Sequence, residues 1–293
     1  MHLDQLLQFI ISGITSGSIY ALIALGFTLI YNSTQIINFA QGEFVMLGGL
    51  FAVSLYSVTH LPLVLAIILA IAIVTIVGVV FERLAIRPLK DSSGITLIIV
   101  TIGASILMKN VAMIFWGRDP QTMPPFTGDT PINFFGASIT PQSLWVIGVL
   151  ILVVIMLQLF YKRSVIGKAM KATSIDPTAA RLMGINTSNI VMLSFAMSAG
   201  FASLAGILIT PISMTSYSVG GFLGLKGFAA AVLGGLGNPV GAVVGGILLG
   251  VLESVSIGFI SSGYKDAIAF LILLLVLFIR PSGIMGSKLR GKV

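Results

Sequence analysis

Glu43 and Lys226 are single full charges set in apolar surroundings, the first within YNSTQIINFAQGEFVMLGGL (31–50), the second within GGFLGLKGFAAAVLGGLGNPVG (220–241). Lys109 and Glu253 stand in or beside apolar runs in the same way. A charge at the centre of a membrane helix costs roughly 2.5–3.5 kcal/mol on insertion scales, so such groups turn toward protein or water. With Asn38, Gln41 and Asn238 close by in sequence, Glu43 and Lys226 are the candidates for lining a polar route. Their opposite signs also allow Glu43 and Lys226 to pair and hold two interrupted helices together. The plainer reading is a buried ion pair, or a head group reaching for the interface along its own apolar stem.

A second constellation is local. Between Leu159 and Ile190 runs the one long water-soluble loop, with Lys162, Arg163, Lys168, Lys171 and Arg181 and only one acid, Asp176. Asp176 suits an N-cap, because its carboxylate can accept the unpaired amide hydrogens of a first turn. Pro177 fits the first helical position, which needs no amide hydrogen, and Gly184 supplies a left-handed stop. Ala179, Leu182 and Met183 can then share a face at i, i+3 and i+4. Two turns are too few to hold alone in water, so this helix must dock on its own chain or on a partner.

Other chemistries find no support. The chain has no cysteine, its histidines are His2 and His60 near span ends, and a metal site is not expected. No GxxxxGK[ST] phosphate loop, HExxH or GxSxG motif occurs, so neither nucleotide cradling nor hydrolytic catalysis is expected.

The elements that position these residues follow from composition. Of 293 residues 57% are hydrophobic and 9% charged, with mean hydropathy +1.10. About 25% charged is usual for a soluble domain, and apolar runs of about 18 residues or more read as membrane spans. The reading is an all-α, polytopic transmembrane bundle of about eight or nine spans in one domain, residues 1–293, with a soluble loop at 161–189. The first apolar run, Leu6 to Tyr31, lacks a basic flank and a cleavage site and reads as a retained span. Further spans are expected near 62–82, 94–116, 142–160, 190–210, 240–260 and 266–280.

Basic residues cluster at Arg83, Arg87 and Lys90, in the 161–189 loop, and at Arg280, Lys288, Arg290 and Lys292. The positive-inside rule makes these stretches cytoplasmic and puts Gly117 to Pro141 on the far side. The net charge of +7 therefore reflects topology and gives no reason to invoke nucleic acid. Segments 33–57 and 221–238 are rich in Gly and Asn and read as broken or re-entrant helices, tolerated at membrane depth only against protein or a cavity. Counting both as crossings gives nine spans and an outside N-terminus; a re-entrant 33–57 gives eight and an inside one. MLGG (46–49) can be laid over VLGG (232–235) as a weak internal repeat, and Gly241, Gly245 and Gly250 offer small faces for close helix packing.

On ALIALGFTLIY (21–31), INFAQGEFVMLGG (37–49), GKAMKATSIDPTAARLMGIN (167–186), KGFAAAVLGGLGNPVGAVVGGILLG (226–250) and YKDAIAFLILLLVLFIRPSGIMG (264–286), the chain resembles the H-type permease subunits of high-affinity branched-chain amino acid ABC importers. The resemblance runs from about residue 10 to 286. It implies an inner-membrane permease without cofactor and without catalysis of its own. It also implies ABC ATPase subunits, a second permease subunit (an M-type paralogue or another copy) and a periplasmic solute-binding protein. By the same resemblance Asp176, Ala179, Ala180, Leu182 and Gly184 contact the ATPase, and the cargo is leucine, isoleucine or valine. Related permeases carry urea, short amides or other amino acids. A channel or ion-driven transporter is the competing class, with Glu43 and Glu253 as its only intramembrane acids.

Overall fold

The computed structural model describes residues 3–90, 92–134, 136–259, 263 and 265–286. Helices dominate it: α1 (Leu3–Thr34), α2 (Gln41–Ser57), α3 (Leu63–Phe81), α4 (Gly94–Trp116), α5 (Pro141–Arg163), α6 (Val165–Ile175), α7 (Pro177–Leu182), α8 (Thr187–Ser213), α9 (Val219–Gly234), α10 (Pro239–Phe259) and α11 (Lys265–Ile279). Strands β1 (Ile132–Phe134) and β2 (Ala137–Ile139) form a short antiparallel hairpin between α4 and α5. Six helices among the described residues are long and apolar enough to cross a membrane. The chain is a polytopic helical membrane protein.

Local chemistry sets the ends. Ser93 accepts from Thr96 N at 3.3 Å to start α4, and Gly117, at φ +77°, ends it. Pro141 opens α5, and Asn186 accepts from Asn189 N to start α8. The spans expected from hydropathy are matched by α3, α4, α5, α8, α10 and α11, within a few residues at each end.

Both ambiguous segments resolve into helices of their own. At 17 residues α2 is about 25 Å long, short of a hydrocarbon core of roughly 30 Å. It starts part-way along the bundle, where Gln41 lies against Gly26 of α1 and bonds Ser198 of α8. It ends where Ser54 accepts from the indole of Trp116, at the far end of α4. Segment 33–57 therefore turns inward after α1 and then runs toward the far end as a helix shorter than the six that are long enough to cross. The N-terminal part of α1 lies by the β-hairpin, with Gln8 bonded to Ser138, while Asn32 lies by Tyr161 and Lys171 at the basic end. α1 therefore runs from the far end toward the basic end. Lys288, Arg290 and Lys292 of the third basic stretch lie outside the described residues. The suggested repeat does not hold: MLGG lies inside α2, whereas VLGG straddles the end of α9, where Gly235 takes φ +106°.

The core forms around α1, flanked by α8, α9 and α10, and α1 and α10 run antiparallel in closest contact. A Cβ on Gly17 would lie 2.7 Å from Ile247 Cα, and one on Gly13 2.6 Å from Val251 Cα. Gly246 and Gly250 face Ala21 and Gly17 in return. Two small-xxx-small faces thus meet and bring the backbones together, the main source of packing energy where lipid is as apolar as Leu. Among the expected glycines, Gly241 and Gly245 pack instead on Gly234 and Ala230 of α9. Outer helices α3, α4 and α5 leave most of their apolar surface uncovered.

At the far end, Gln121 and Thr215 exchange backbone hydrogen bonds of 2.7 Å, and Gln142 bridges Phe126 N and Leu208 O. The loop between α4 and α5 is ordered by these ties.

Candidate functional site

The soluble loop folds as its sequence dictates. Ser164 starts α6, accepting from Gly167 N. Gly167 sits where a Cβ would strike the Phe160 carbonyl, so α6 folds back tightly on the end of α5. Met170 and Thr173 are buried and seat α6 on the bundle. Asp176 then starts α7, with Oδ1 accepting from Thr178 N at 2.8 Å and Ala179 N at 3.0 Å. Gly184 at φ +84° stops it, and Ile185 N returns to Ala180 O at 3.0 Å.

This geometry divides the expected contact residues. Leu182 is 85% exposed and Met183 84%, and Ala179 is exposed on the same side. Ala180 is turned the other way, 4% exposed, and holds α7 against its own chain. It cannot be a surface contact; a helix of two turns needs one inward face to stay put, and Ala180 supplies it. Asp176 and Gly184 set the helix ends.

Asn38, Gln41 and Glu43 are brought together at the break between α1 and α2. Asn38 Oδ1 accepts from Ala40 N at 3.1 Å, and its Nδ2 has no protein partner. Gln41 is fully buried, donating to Ser198 O at 3.3 Å and accepting from Ser198 Oγ at 2.7 Å. Glu43 is 2% exposed, in the first turn of α2; Oε1 accepts from Ser105 Oγ of α4 at 2.9 Å, and Oε2 has no hydrogen-bond partner. Its carboxylate lies against the first turn of α9, where a Cβ on Gly220 would come 2.6 Å from Oε2. Helix N-termini carry positive partial charge, so the first turns of α2 and α9 both favour an anion here. Half-buried Lys109 of α4 acts on Glu43 electrostatically and lies 5.9 Å from the Tyr217 ring centre.

Lys226 does not join this group. Its Nζ lies 2.7 Å from Glu253 Oε1 of α10 and 3.3 Å from the Tyr20 hydroxyl of α1, which itself donates to Glu253 Oε2 at 2.9 Å. The expected Glu43–Lys226 pairing is replaced by this Tyr20–Lys226–Glu253 knot. The reason is helix direction: Lys226 faces the α1–α10 seam, while Gly220, earlier on α9, faces Glu43. Asn238 also stands apart from Asn38, Gln41 and Glu43, beside a cavity at the basic end. It caps α10 at the basic end, accepting from Val240 N and Gly241 N and donating to Met285 O.

Sequence reasoning overlooked Tyr20, Ser105 and Ser198. Each is a modest polar residue in an apolar span, and its partner lies between 62 and 233 residues away. Nothing local marks them. The paired glycines of α1, Gly13 and Gly17, carried a readable signal that was not used.

Residues 9–277 match the family described as the branched-chain amino acid transport system permease component. The permease protein LivH of the high-affinity branched-chain amino acid transport system of Salmonella typhimurium is 36% identical over 300 residues, covering 98% of this chain and 97% of that one. BraD of Pseudomonas aeruginosa, a permease of the same description, is 35% identical over 302 residues and 98% of both chains. More distant is the ribose import permease protein RbsC of Escherichia coli, 26% identical over 274 residues, 89% of this chain and 82% of that one. The near-full-length identity and the matched span agree: this chain belongs to the family of branched-chain amino acid transport system permease components.

Proposed function

We propose that the chain is one of two permease subunits of an inner-membrane ABC importer that carries leucine, isoleucine or valine delivered by a periplasmic binding protein. ATPase subunits supply the energy and α7 receives it. The observation that carries this reading is the form of α7: a helix capped by Asp176, seated by Ala180, and offering Leu182 and Met183 outward. Large exposed apolar side chains on a short helix outside the bilayer favour burial in a partner's groove. The cargo is taken from the high-affinity relatives, each described as a branched-chain amino acid permease.

In this reading the break before α2 is the polar point of the pathway. The Glu43 carboxylate offers an acceptor to a passing ammonium group, and Lys109 a charge of the other sign. Interrupted helices packed through glycine give two discrete packings of the kind that alternating access requires. Movement of α7 with the ATPases switches the pair between them.

The test is Leu182→Asp in the complex reconstituted with its ATPases and binding protein. ATP hydrolysis stimulated by the leucine-loaded binding protein should be abolished, with the binding protein's own affinity for leucine unchanged. Retained stimulation overturns the coupling role. Gradient-driven uptake by this chain alone would favour an ion-driven transporter instead.

A further inference from the structure

At the basic end of the bundle, a cavity of about 440 Å³ opens between the end of α1, the end of α3, the start of α4, and α7 with the start of α8. Glu82 lines it, only 1% exposed, and its Oε2 has no hydrogen-bond partner. The chain widens into a single π-turn over Glu82–Ile86, closed by Arg87 N–H on Glu82 O. Such turns interrupt helices at positions that often serve function. Arg83 and Arg87 act on the carboxylate through charge, yet leave Oε2 without a donor. A buried acceptor left unmade is costly, and a charged one more so.

The other walls are of two kinds. Arg87, Lys90 and Arg181, all exposed, form a cationic rim. Ile86, Leu97, Ile185 and Val191 give an aliphatic side. A buried anion, a cationic rim and a branched aliphatic wall match an α-amino acid with a branched side chain. Its ammonium would meet Glu82 Oε2, its carboxylate the rim, and its side chain the aliphatic wall. A simple anion such as phosphate, or a lipid headgroup of that charge, has no use for Glu82 and is repelled by it.

We propose that this cavity is a second, cytoplasm-facing site for free branched-chain amino acid, and that its occupation holds α7 and slows import. It rests on the cargo proposed above. Coupling follows because Pro177 and Arg181 of α7 are part of the wall. A ligand bound there favours the α7 position that closes the cavity, and can shift α7 only by its difference in affinity for the two positions.

The experiment uses proteoliposomes holding the complete complex, with ATP and varied leucine in the lumen on the cytoplasmic face and leucine-loaded binding protein on the other. Lumenal leucine at millimolar concentration should lower stimulated ATP hydrolysis at least threefold, whereas isoamylamine, 4-methylpentanoate and inorganic phosphate at equal concentration should not. Glu82→Gln should raise the inhibitory concentration by about tenfold or more, the loss expected for one charge-assisted hydrogen bond. Arg87→Gln, on the exposed rim, should raise it too. Inert leucine, inhibition unmoved by both substitutions, or equal inhibition by phosphate overturns the proposal. Retention of radiolabelled leucine by the purified complex without binding protein, lost in both variants, reads the cavity directly. Where hydrolysis fails to respond to leucine-loaded binding protein while that retention persists, the cargo and coupling reading fails and the cavity stands.

Discussion

Lys226 and Glu253, 27 residues apart on α9 and α10, meet at 2.7 Å with side chains 8% and 7% exposed, and Tyr20 of α1 bonds both. Three helices are thus tied by one charge pair at the α1–α10 seam. Removing one partner of a buried pair leaves the other charge uncompensated, typically at about 3–5 kcal/mol, whereas replacing both by apolar groups is often neutral. Glu253→Leu and Lys226→Met should each lower the thermal unfolding temperature of the detergent-purified protein sharply. The double variant should recover most of the loss. A double variant as unstable as either single one would show that the charges do more than compensate each other.

Packing at the glycine seam leads to the second expectation. A Cβ at Gly250 runs into the backbone of Gly13 and Gly17, which cannot yield as a side-chain tip would. Gly250→Ala should cost about 1–3 kcal/mol by overpacking, and Gly250→Leu should abolish recovery of folded protein from membranes. Gly103 on α4 has nothing within 4 Å of the same added atom, and Gly103→Ala should leave yield and unfolding temperature unchanged.

For α7 the effects should be graded. Asp176→Ala removes both amide contacts of the cap, worth about 1 kcal/mol, and should weaken ATPase co-purification about fivefold. Asp176→Asn should retain it. Gly184→Ala places a Cβ at φ +84° and should cost about 1 kcal/mol as well. If both destabilising changes leave co-purification intact, α7 is not the docking element.

Glu43→Gln keeps an oxygen to accept from Ser105 and removes the charge. Assembly should survive, as read by co-purification, while leucine uptake into proteoliposomes falls about tenfold. Unchanged uptake would remove Glu43 from the pathway.

Much of this protein was legible because its signals are local. Hydropathy alone located α3, α4, α5, α8 and α10, and the caps at Asp176 and Gly184 bounded α7 to within a residue. Basic residues marked the end of the bundle that α6 and α7 occupy. These depend on bilayer thickness, charge and first-turn hydrogen bonding, which need no knowledge of neighbours.

Tertiary structure decided the rest. Helices apolar on every side carry no amphipathic stripe to say which face is buried, so packing partners cannot be read from periodicity. That is why Lys226 was set beside Glu43 and not Glu253, and why the capping role of Asn238 and the inward turn of Ala180 were missed. The cavity around Glu82 has the same origin, since its walls come from residues between 33 and 191 that only the folded chain assembles. Sequence locates the long apolar helices and the basic end of the bundle, because hydropathy and charge are local; the glycine contacts that set helix against helix decide which of its charges are paired.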